Sequence, residues 1–312
     1  MKNKIKILIP GGTGFIGYHL IVSLVKKGWI VHSVSKFKPK KNRKVKGVKY
    51  ICCDVRNKKD LKSKLDNYYD YIVNLAGYVD HSNNQTISKI HFNGCKNLVF
   101  NFLENNPKKF IQIGSSIEYG KQRSPQKEAL NKKTNTYSVY GNAKLSCTLF
   151  LLSLFKKKKF PASIIRLYLV YGPNQDNNRV IPFVINNSLK GKKFNCSPGN
   201  QFRDFTFIDD IVDAIFKTLK SKKSSGEIIN IGSGKPKKIK DLIKTIVRYI
   251  GKGKPDFSKL KIRSDELSKL YPDISKAKKI LKWKPKIDLK KGIKKTIKFY
   301  SIDKNEKIIL NK

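Results

Sequence analysis

From its first residues the chain alternates short runs of Ile, Val and Leu with longer stretches whose apolar side chains return every three or four positions. The short runs, at residues 5–9, 30–34, 48–52, 71–75, 110–113 and 163–168, carry no consistently polar face. Strands of that kind are buried on both sides, as in a parallel sheet covered by helices. The longer stretches predict helices over 17–27, closed at Gly28, over 89–103, closed before Pro107, and over 138–155. Strand and helix in alternation predict an α/β fold, a doubly wound parallel sheet filling roughly the first 170 residues. After Gly172-Pro173 the pattern loosens into loops rich in Pro and Asn. A helix over 210–220 and a strand over 227–231 return to the sheet, and 235–312 reads as short helices and loops. The expected division is 1–172 with 205–234 as one domain, and 173–204 with 235–312 as a smaller C-terminal region.

Composition narrows the class. With 312 residues, 39% hydrophobic and 11% aromatic, the chain can bury a sizeable core. No apolar run approaches the ~18 residues of a membrane span. The opening Met1-Lys2-Asn3-Lys4-Ile5 leads straight into the first strand without the apolar region of a signal peptide, so a cytoplasmic location is expected. Cys52, Cys53, Cys95, Cys147 and Cys196 include no C-x-x-C pair and no His at ligand spacing. They are expected to be reduced thiols, with no metal site. The formal net charge is +46, which raises the question of a nucleic-acid partner. Only eight of the basic residues are Arg, however, and the lysines are spread along the whole chain, with runs within 36–46, 156–159 and 235–240. Base readout relies on Arg, so the pattern fits a lysine-biased solvated surface that attracts anionic substrates rather than a specific nucleic-acid binder.

The first strand runs into Pro10-Gly11-Gly12-Thr13-Gly14-Phe15-Ile16-Gly17, glycines spaced G-x-x-G-x-x-G at a strand-to-helix turn. Such a turn lets a pyrophosphate approach the main chain and meet the amides of the following helix, the arrangement of a Rossmann-type dinucleotide site. The second strand ends in Ser35-Lys36-Phe37-Lys38, without the carboxylate that accepts the ribose hydroxyls of NAD. Ser35, Lys36 and Lys38 suit a 2′-phosphate, so NADP is expected, with NAD as the alternative. Asp54, followed by Val55, is placed to accept the adenine amino group. Leu75, Ala76 and Gly77 end the fourth strand with a small-residue passage for the ribose and nicotinamide.

Tyr140 and Lys144 lie four residues apart, hence on one helical face. A cation fixed beside a phenol favours its phenolate and equips it for acid/base work near neutral pH. The preceding strand ends in Gly114-Ser115-Ser116, a hydroxyl donor for the substrate oxygen.

The segments GGTGFIG, NLAG, GSSIEYG, YGNAK, RLYLVYGP, RDFTFIDD and LKWKP stand in the order and spacing of the extended short-chain dehydrogenase/reductases. Over almost its whole length the chain resembles their nucleotide-sugar epimerase/dehydratase/reductase family. The resemblance implies Tyr140 as acid/base, Lys144 as its partner and Ser115 as third member, with Ser116 in reserve. It implies a nucleoside-diphosphate sugar substrate held by Arg203, Arg263 and Glu266, with Tyr78, Asp80 and His81 lining the sugar pocket and Asn178 beside it, and a homodimer paired through helices 89–105 and 138–155. Dehydratases of the family carry an acid pair where this chain has Ser116-Ile117. His91 and Leu169 replace two frequent Asn residues. The Gly-Ser-Ser-x-Glu-Tyr-Gly pattern resembles GDP-4-keto-6-deoxymannose reductases. Reduction of a 4-keto sugar by hydride transfer at C4 is therefore the expected reaction, a nucleotide-sugar 4-epimerase the alternative, and a non-catalytic NAD(P)-binding scaffold the remote one.

Overall fold

The computed structural model describes residues 4–77, 86–129, 136, 138–260 and 266–302. Seven parallel strands form the central sheet: β1 Lys6–Pro10, β2 Ile30–Ser35, β3 Val48–Cys52, β4 Tyr71–Asn74, β5 Lys109–Ser115, β6 Ala162–Leu167 and β7 Ile228–Ile231. Their order is 3-2-1-4-5-6-7, so the winding reverses between β1 and β4. Strands 1, 4, 5, 6 and 7 are almost wholly buried, as the apolar runs predict. β3 departs from the expectation of burial on both faces. It is the edge of the sheet, with Lys49 and Cys52 exposed, because only β2 pairs with it.

Each face of the sheet carries its own apolar cluster. On one side Leu20, Ile21 and Leu24 of the helix Phe15–Lys26 meet Ile211 and Ile215 of the helix Ile208–Lys220 against Ile7, Ile9 and Ile111. On the other, Leu61, Leu98, Val99, Cys147 and Leu151 pack on Leu8, Ile72, Phe110 and Ile164. The predicted helix over 89–103 is one helical run with a wide turn inside it. Thr86–Ser88 leads into a π-helical segment at Lys89–Asn93, and α-helix resumes over Gly94–Asn101. Such insertions recur at functional sites, and this one carries the buried His91.

The C-terminal region is more regular than the sequence suggested. The helices Ile239–Ile250 and Leu289–Ser301 span 12 and 13 residues and bury one stripe each, Ile239, Leu242, Ile243 and Ile246 in the first and Ile293 with Thr296 in the second. Lysines on the outer faces had obscured that period. The first sheet cluster continues unbroken into these helices through Val184, Leu242, Ile246, Trp283 and Ile293. Among the described residues all five cysteines are free of disulfides, no cluster of His, Cys, Asp and Glu could hold a metal, and no helix is long and apolar enough to cross a membrane.

Trp283 is the largest fully buried side chain, and its indole N–H donates to the Asp210 carbonyl at 3.1 Å. The Asp210 carboxylate in turn accepts the amides of Lys286 at 2.9 Å and Ile287 at 3.0 Å. Trp283→Ala should therefore cost about 3–5 kcal/mol, measured by urea unfolding with Trp29, the only other tryptophan, as the fluorescence reporter.

Candidate active site

The site begins where the winding reverses. Gly11 has φ +80°, and a Cβ there would stand 2.4 Å from the Leu75 carbonyl oxygen, so only glycine allows the loop to lie this close to the end of β4. Its amide donates to the Val34 carbonyl at 2.7 Å, and the Leu75 amide donates to Pro10 at 2.8 Å. A Cβ on Gly17 would come within 2.5 Å of Gly12, which fixes the helix Phe15–Lys26 against the loop. Gly14 differs: a Cβ there would meet only the Gly11 oxygen at 3.3 Å, and the residue lines a cavity. It precedes a helix whose first turn has no side-chain cap and no acid. Open amides at a positive helix end, approached without a Cβ, fit a dinucleotide pyrophosphate.

That cavity, of about 890 Å³, runs from Gly11, Gly14, Phe15, Ile16 and Gly17 past Leu75 and Gly77 to Ser115, Ser116, Tyr140 and Lys144, and on to Asn178, Arg203 and Glu266. Tyr140 is buried on the helix Val139–Lys158, which Ser138 caps by accepting the Gly141 amide at 3.0 Å. The edge of the His91 ring meets the Tyr140 ring, with centroids 5.1 Å apart, and Gly77 leaves room for that imidazole. Lys144 is buried, donates to the Ile113 carbonyl at 2.8 Å and holds its ammonium 5.9 Å from the Tyr140 ring centroid. The Ser115 hydroxyl accepts the Ile117 amide at 3.4 Å, leaving its proton to donate into the cavity.

Two other tyrosines line this cavity, and burial pushes both phenols up. Tyr168 donates to the Gln126 side chain at 2.8 Å and Tyr171 to the Leu289 carbonyl at 3.4 Å. The Tyr140 hydroxyl takes no partner among the described residues. Of the three cavity tyrosines it alone leaves its hydroxyl unspent on the protein.

At the far end Arg203, buried, pairs with Glu266 and donates to the Phe202 carbonyl at 2.8 Å. Arg203 is fixed by the small sheet in which Phe202–Arg203 lies between Lys237–Lys238 and Lys269–Leu270. Arg263 and Tyr78, with Asp80 and His81, fall outside the described residues. The sequence reading missed Gln175, Asp176, Arg179 and Phe205, which also line the cavity. Burial pushes the Asp176 carboxyl up, but Arg43 and Lys40 outweigh it and hold it below the usual carboxylate range. Arg179 was as rare a residue as Arg203, and it follows the carboxyl end of a sheet strand, where ligands of open α/β sheets collect.

The residues expected at the adenosine end are partly satisfied by one another. Thr13 donates to the Ser35 hydroxyl at 3.0 Å, and Ser35 donates to the Val34 carbonyl at 2.7 Å. Lys36 lies over the Phe37 ring, and Lys36 and Lys38 are exposed. Asp54 accepts the Arg56 side chain at 2.6–3.0 Å, and those bonds hold its carboxyl below the ordinary value. Val55 packs against Gly94, its carbonyl accepting Asn97 at 3.1 Å, and the Ala76 amide is held by Asn74 at 3.1 Å.

The sequence model of the NAD dependent epimerase/dehydratase family matches residues 7–232. The dTDP-D-glucose 4,6-dehydratase of Mus musculus is 30% identical over 95% of this chain and 88% of its own. A putative UDP-glucose 4-epimerase of Methanocaldococcus jannaschii is 30% identical over 93% of this chain and 97% of its own. Among solved structures, the UDP-glucuronic acid 4-epimerase of Bacillus cereus, in complex with UDP-glucuronic acid and NAD, superposes with a TM-score of 0.84 at 28% identity, covering 95% of this chain and 98% of that one. The Rossmann-type sheet with its C-terminal substrate region is thus the fold of known relatives. That complex holds NAD and the matching family is NAD dependent, which corrects the preference for NADP drawn from Ser35, Lys36 and Lys38. In a chain with 60 lysines, two exposed ones after β2 carried no information about a phosphate.

The two kinds of glycine let loop folding be tested apart from the cofactor contact expected at Gly14. Gly14 has φ −75°, which alanine adopts freely. Gly14→Ala should leave the melting temperature near wild type and weaken NAD binding by about tenfold or more, roughly 1.4 kcal/mol by calorimetry. Gly11→Ala should lower both.

Proposed function

Because the chain belongs to the NAD dependent epimerase/dehydratase family, we propose that it is an NAD-dependent 4-epimerase of a nucleoside-diphosphate sugar. It is a nucleotide-sugar-modifying enzyme, and the finer reading rests on one observation. The turn beside the active-site hydroxyl offers Ser116 and Ile117 to the cavity, and the carboxylate that follows, Glu118, is fully buried against Arg166. Elimination of water needs a base at the carbon next to the C4 ketone and an acid at the hydroxyl one carbon further on, and that turn offers the cavity no carboxyl group. The expectation of a 4-keto-sugar reductase gives way with the NADP preference that supported it, and the relatives named above are epimerases and a dehydratase rather than reductases.

Bound NAD supplies a hydride acceptor and then a donor at C4. Tyr140 takes the proton of the sugar hydroxyl as that carbon is oxidised and returns it after the sugar has presented its other face. Lys144, anchored by Ile113, has donors left for a phenolate and for the cofactor ribose. Ser115 holds the same sugar oxygen through both half-reactions. Arg203, Arg179 and Asn178 lie where a diphosphate and its nucleoside would extend from the sugar, and planar guanidinium groups suit phosphate oxygens. In this reading residues 1–172 with 205–234 carry the cofactor, and the remainder carries the nucleotide sugar.

A homodimer completes the proposal. Phe100 and Leu149 are about half exposed on Gly94–Asn101 and Val139–Lys158, beside Phe92 and Phe150, whose rings meet edge to face. Pairing with a second copy would cover them, and light scattering at micromolar concentration should give a dimer mass.

Heat-released ligand from the purified protein should contain NAD by mass spectrometry. UDP-glucose or UDP-glucuronic acid should then interconvert with its C4 epimer, read by proton NMR, without net consumption of added cofactor. Loss of water from the product, or stoichiometric oxidation of NADPH, would replace the epimerase reading by a dehydratase or a reductase. Tyr140→Phe should lower kcat by roughly 10²–10⁴ with NAD binding retained; normal turnover would remove Tyr140 from the chemistry.

A further inference from the structure

The geometry points to Glu118 as a positioning residue that locks the strand end bearing Ser115 to the helix bearing Tyr140 and Lys144, an inference that rests on those three as the reacting groups. Glu118 closes the 3₁₀ turn Ser116–Tyr119 at the end of β5 and is fully buried, facing away from the cavity. One carboxylate oxygen accepts the Ser115 backbone N–H at 2.7 Å. The other accepts the Thr148 hydroxyl at 2.6 Å and the Arg166 Nε at 2.9 Å, and Arg166 Nη2 stands 2.8 Å from it as an ion-pair contact. Gly114 makes this possible, since a Cβ there would stand 2.5 Å from the carboxylate.

Thr148 is what turns a buried ion pair into a clamp. It lies four residues beyond Lys144 and eight beyond Tyr140, on the same face of Val139–Lys158. Lys144 bonds β5 at Ile113 and Thr148 bonds the turn after β5 at Glu118. The helix is thus tied at Lys144 and Thr148, both following Tyr140, to points on either side of Ser115. Arg166 backs the carboxylate from β6, its guanidinium 4.2 Å from the centroid of the Tyr119 ring, and Tyr119 donates to Asn230 of β7 at 2.7 Å. A buried ion pair adds little stability over an apolar pair of equal volume. What this one contributes is a fixed separation between the Ser115 hydroxyl and the Tyr140 phenol, and misplacement of reacting groups by about an ångström is costly in rate.

Thr148→Val removes the link while keeping the side-chain shape and the Glu118–Arg166 pair. On whichever of UDP-glucose and UDP-glucuronic acid the wild type epimerises, it should lower kcat by about tenfold with KM and NAD affinity little changed. Thr148→Ser should restore kcat. Hydrogen exchange needs no substrate: in Thr148→Val the peptides covering 115–120 and 138–145 should exchange faster together, with the β1 and β4 peptides unaltered. Glu118→Gln should show the same pattern more strongly, and if it fails to fold the Thr148 pair decides alone. Wild-type kcat and unchanged exchange in Thr148→Val would overturn the proposal, as would loss of stability alone with kcat intact. Tyr140→Phe run in parallel separates the two readings. If Tyr140→Phe is inactive and Thr148→Val normal, only the clamp fails. If Tyr140→Phe is active, the catalytic assignment fails, and the joint exchange of the two peptides still decides whether Glu118 couples them.

Discussion

Seven strands that all run the same way deliver every carboxyl end to one edge of the sheet, and the reversal of winding at β1 splits the connections there to opposite faces. The crevice that results can be narrow only if the chain on its two sides comes together without side chains between them. The contact of Gly11 with the Leu75 carbonyl provides this, with the Gly11 amide spent on β2 and the Leu75 amide spent on β1. A loop closed in this way satisfies its own backbone groups and leaves the first-turn amides of the following helix for a ligand. The cavity, the placement of Ser115 at the end of β5 and the approach of the Tyr140 helix all depend on that closure.

Charge is distributed by chemistry rather than by count. Arg43, Arg166 and Arg203 are buried, each engaged by carboxylates and backbone carbonyls or ring faces, because a planar, weakly hydrated guanidinium gives up less on leaving water. The lysines stand largely outside, and the two that are buried among the described residues are special cases. Lys144 lines the cavity beside Tyr140 and bonds the Ile113 carbonyl. Lys109 is held by the Ser221 carbonyl at 2.9 Å and the hydroxyls of Ser224 and Ser225, and burial pulls its ammonium down to about 8. The +46 charge is therefore a property of the solvated surface, while the few buried arginines organise the interior and the far end of the cavity.

The C-terminal region does not behave as a separate body attached to the sheet. Trp283 reaches Asp210 on the helix that covers the sheet, and the apolar cluster of Ile7, Ile165 and Ile208 continues into Leu242, Ile246 and Ile293. Arg203 and Glu266, 63 residues apart, meet only because short strands from three distant segments pair beside the cavity. That end of the cavity is in this sense a product of the shared core.

The Rossmann sheet, the glycine loop and the Tyr140–Lys144 pair were legible in the sequence, since each is encoded locally, by a run of apolar residues, three glycine positions or one helical turn. So was the presence of Arg203 in the cavity wall, through its rarity and its motif. What local spacing could not carry was anything decided between segments. Whether β3 would lie inside the sheet or at its edge depended on which strands found it. Lys36 and Lys38 could not be told from ordinary surface lysines by position, and the relative that holds NAD, not their spacing, overturned the phosphate reading. Glu118 read as one letter of a motif, yet its carboxylate draws together β5, β6 and the catalytic helix, because Thr148 and Arg166 arrive there from 30 and 48 residues away. A sequence fixes chemistry residue by residue along the backbone; which groups share one buried volume, and therefore which charges must be paired and which hydroxyls are left to react, is settled only when the chain has packed.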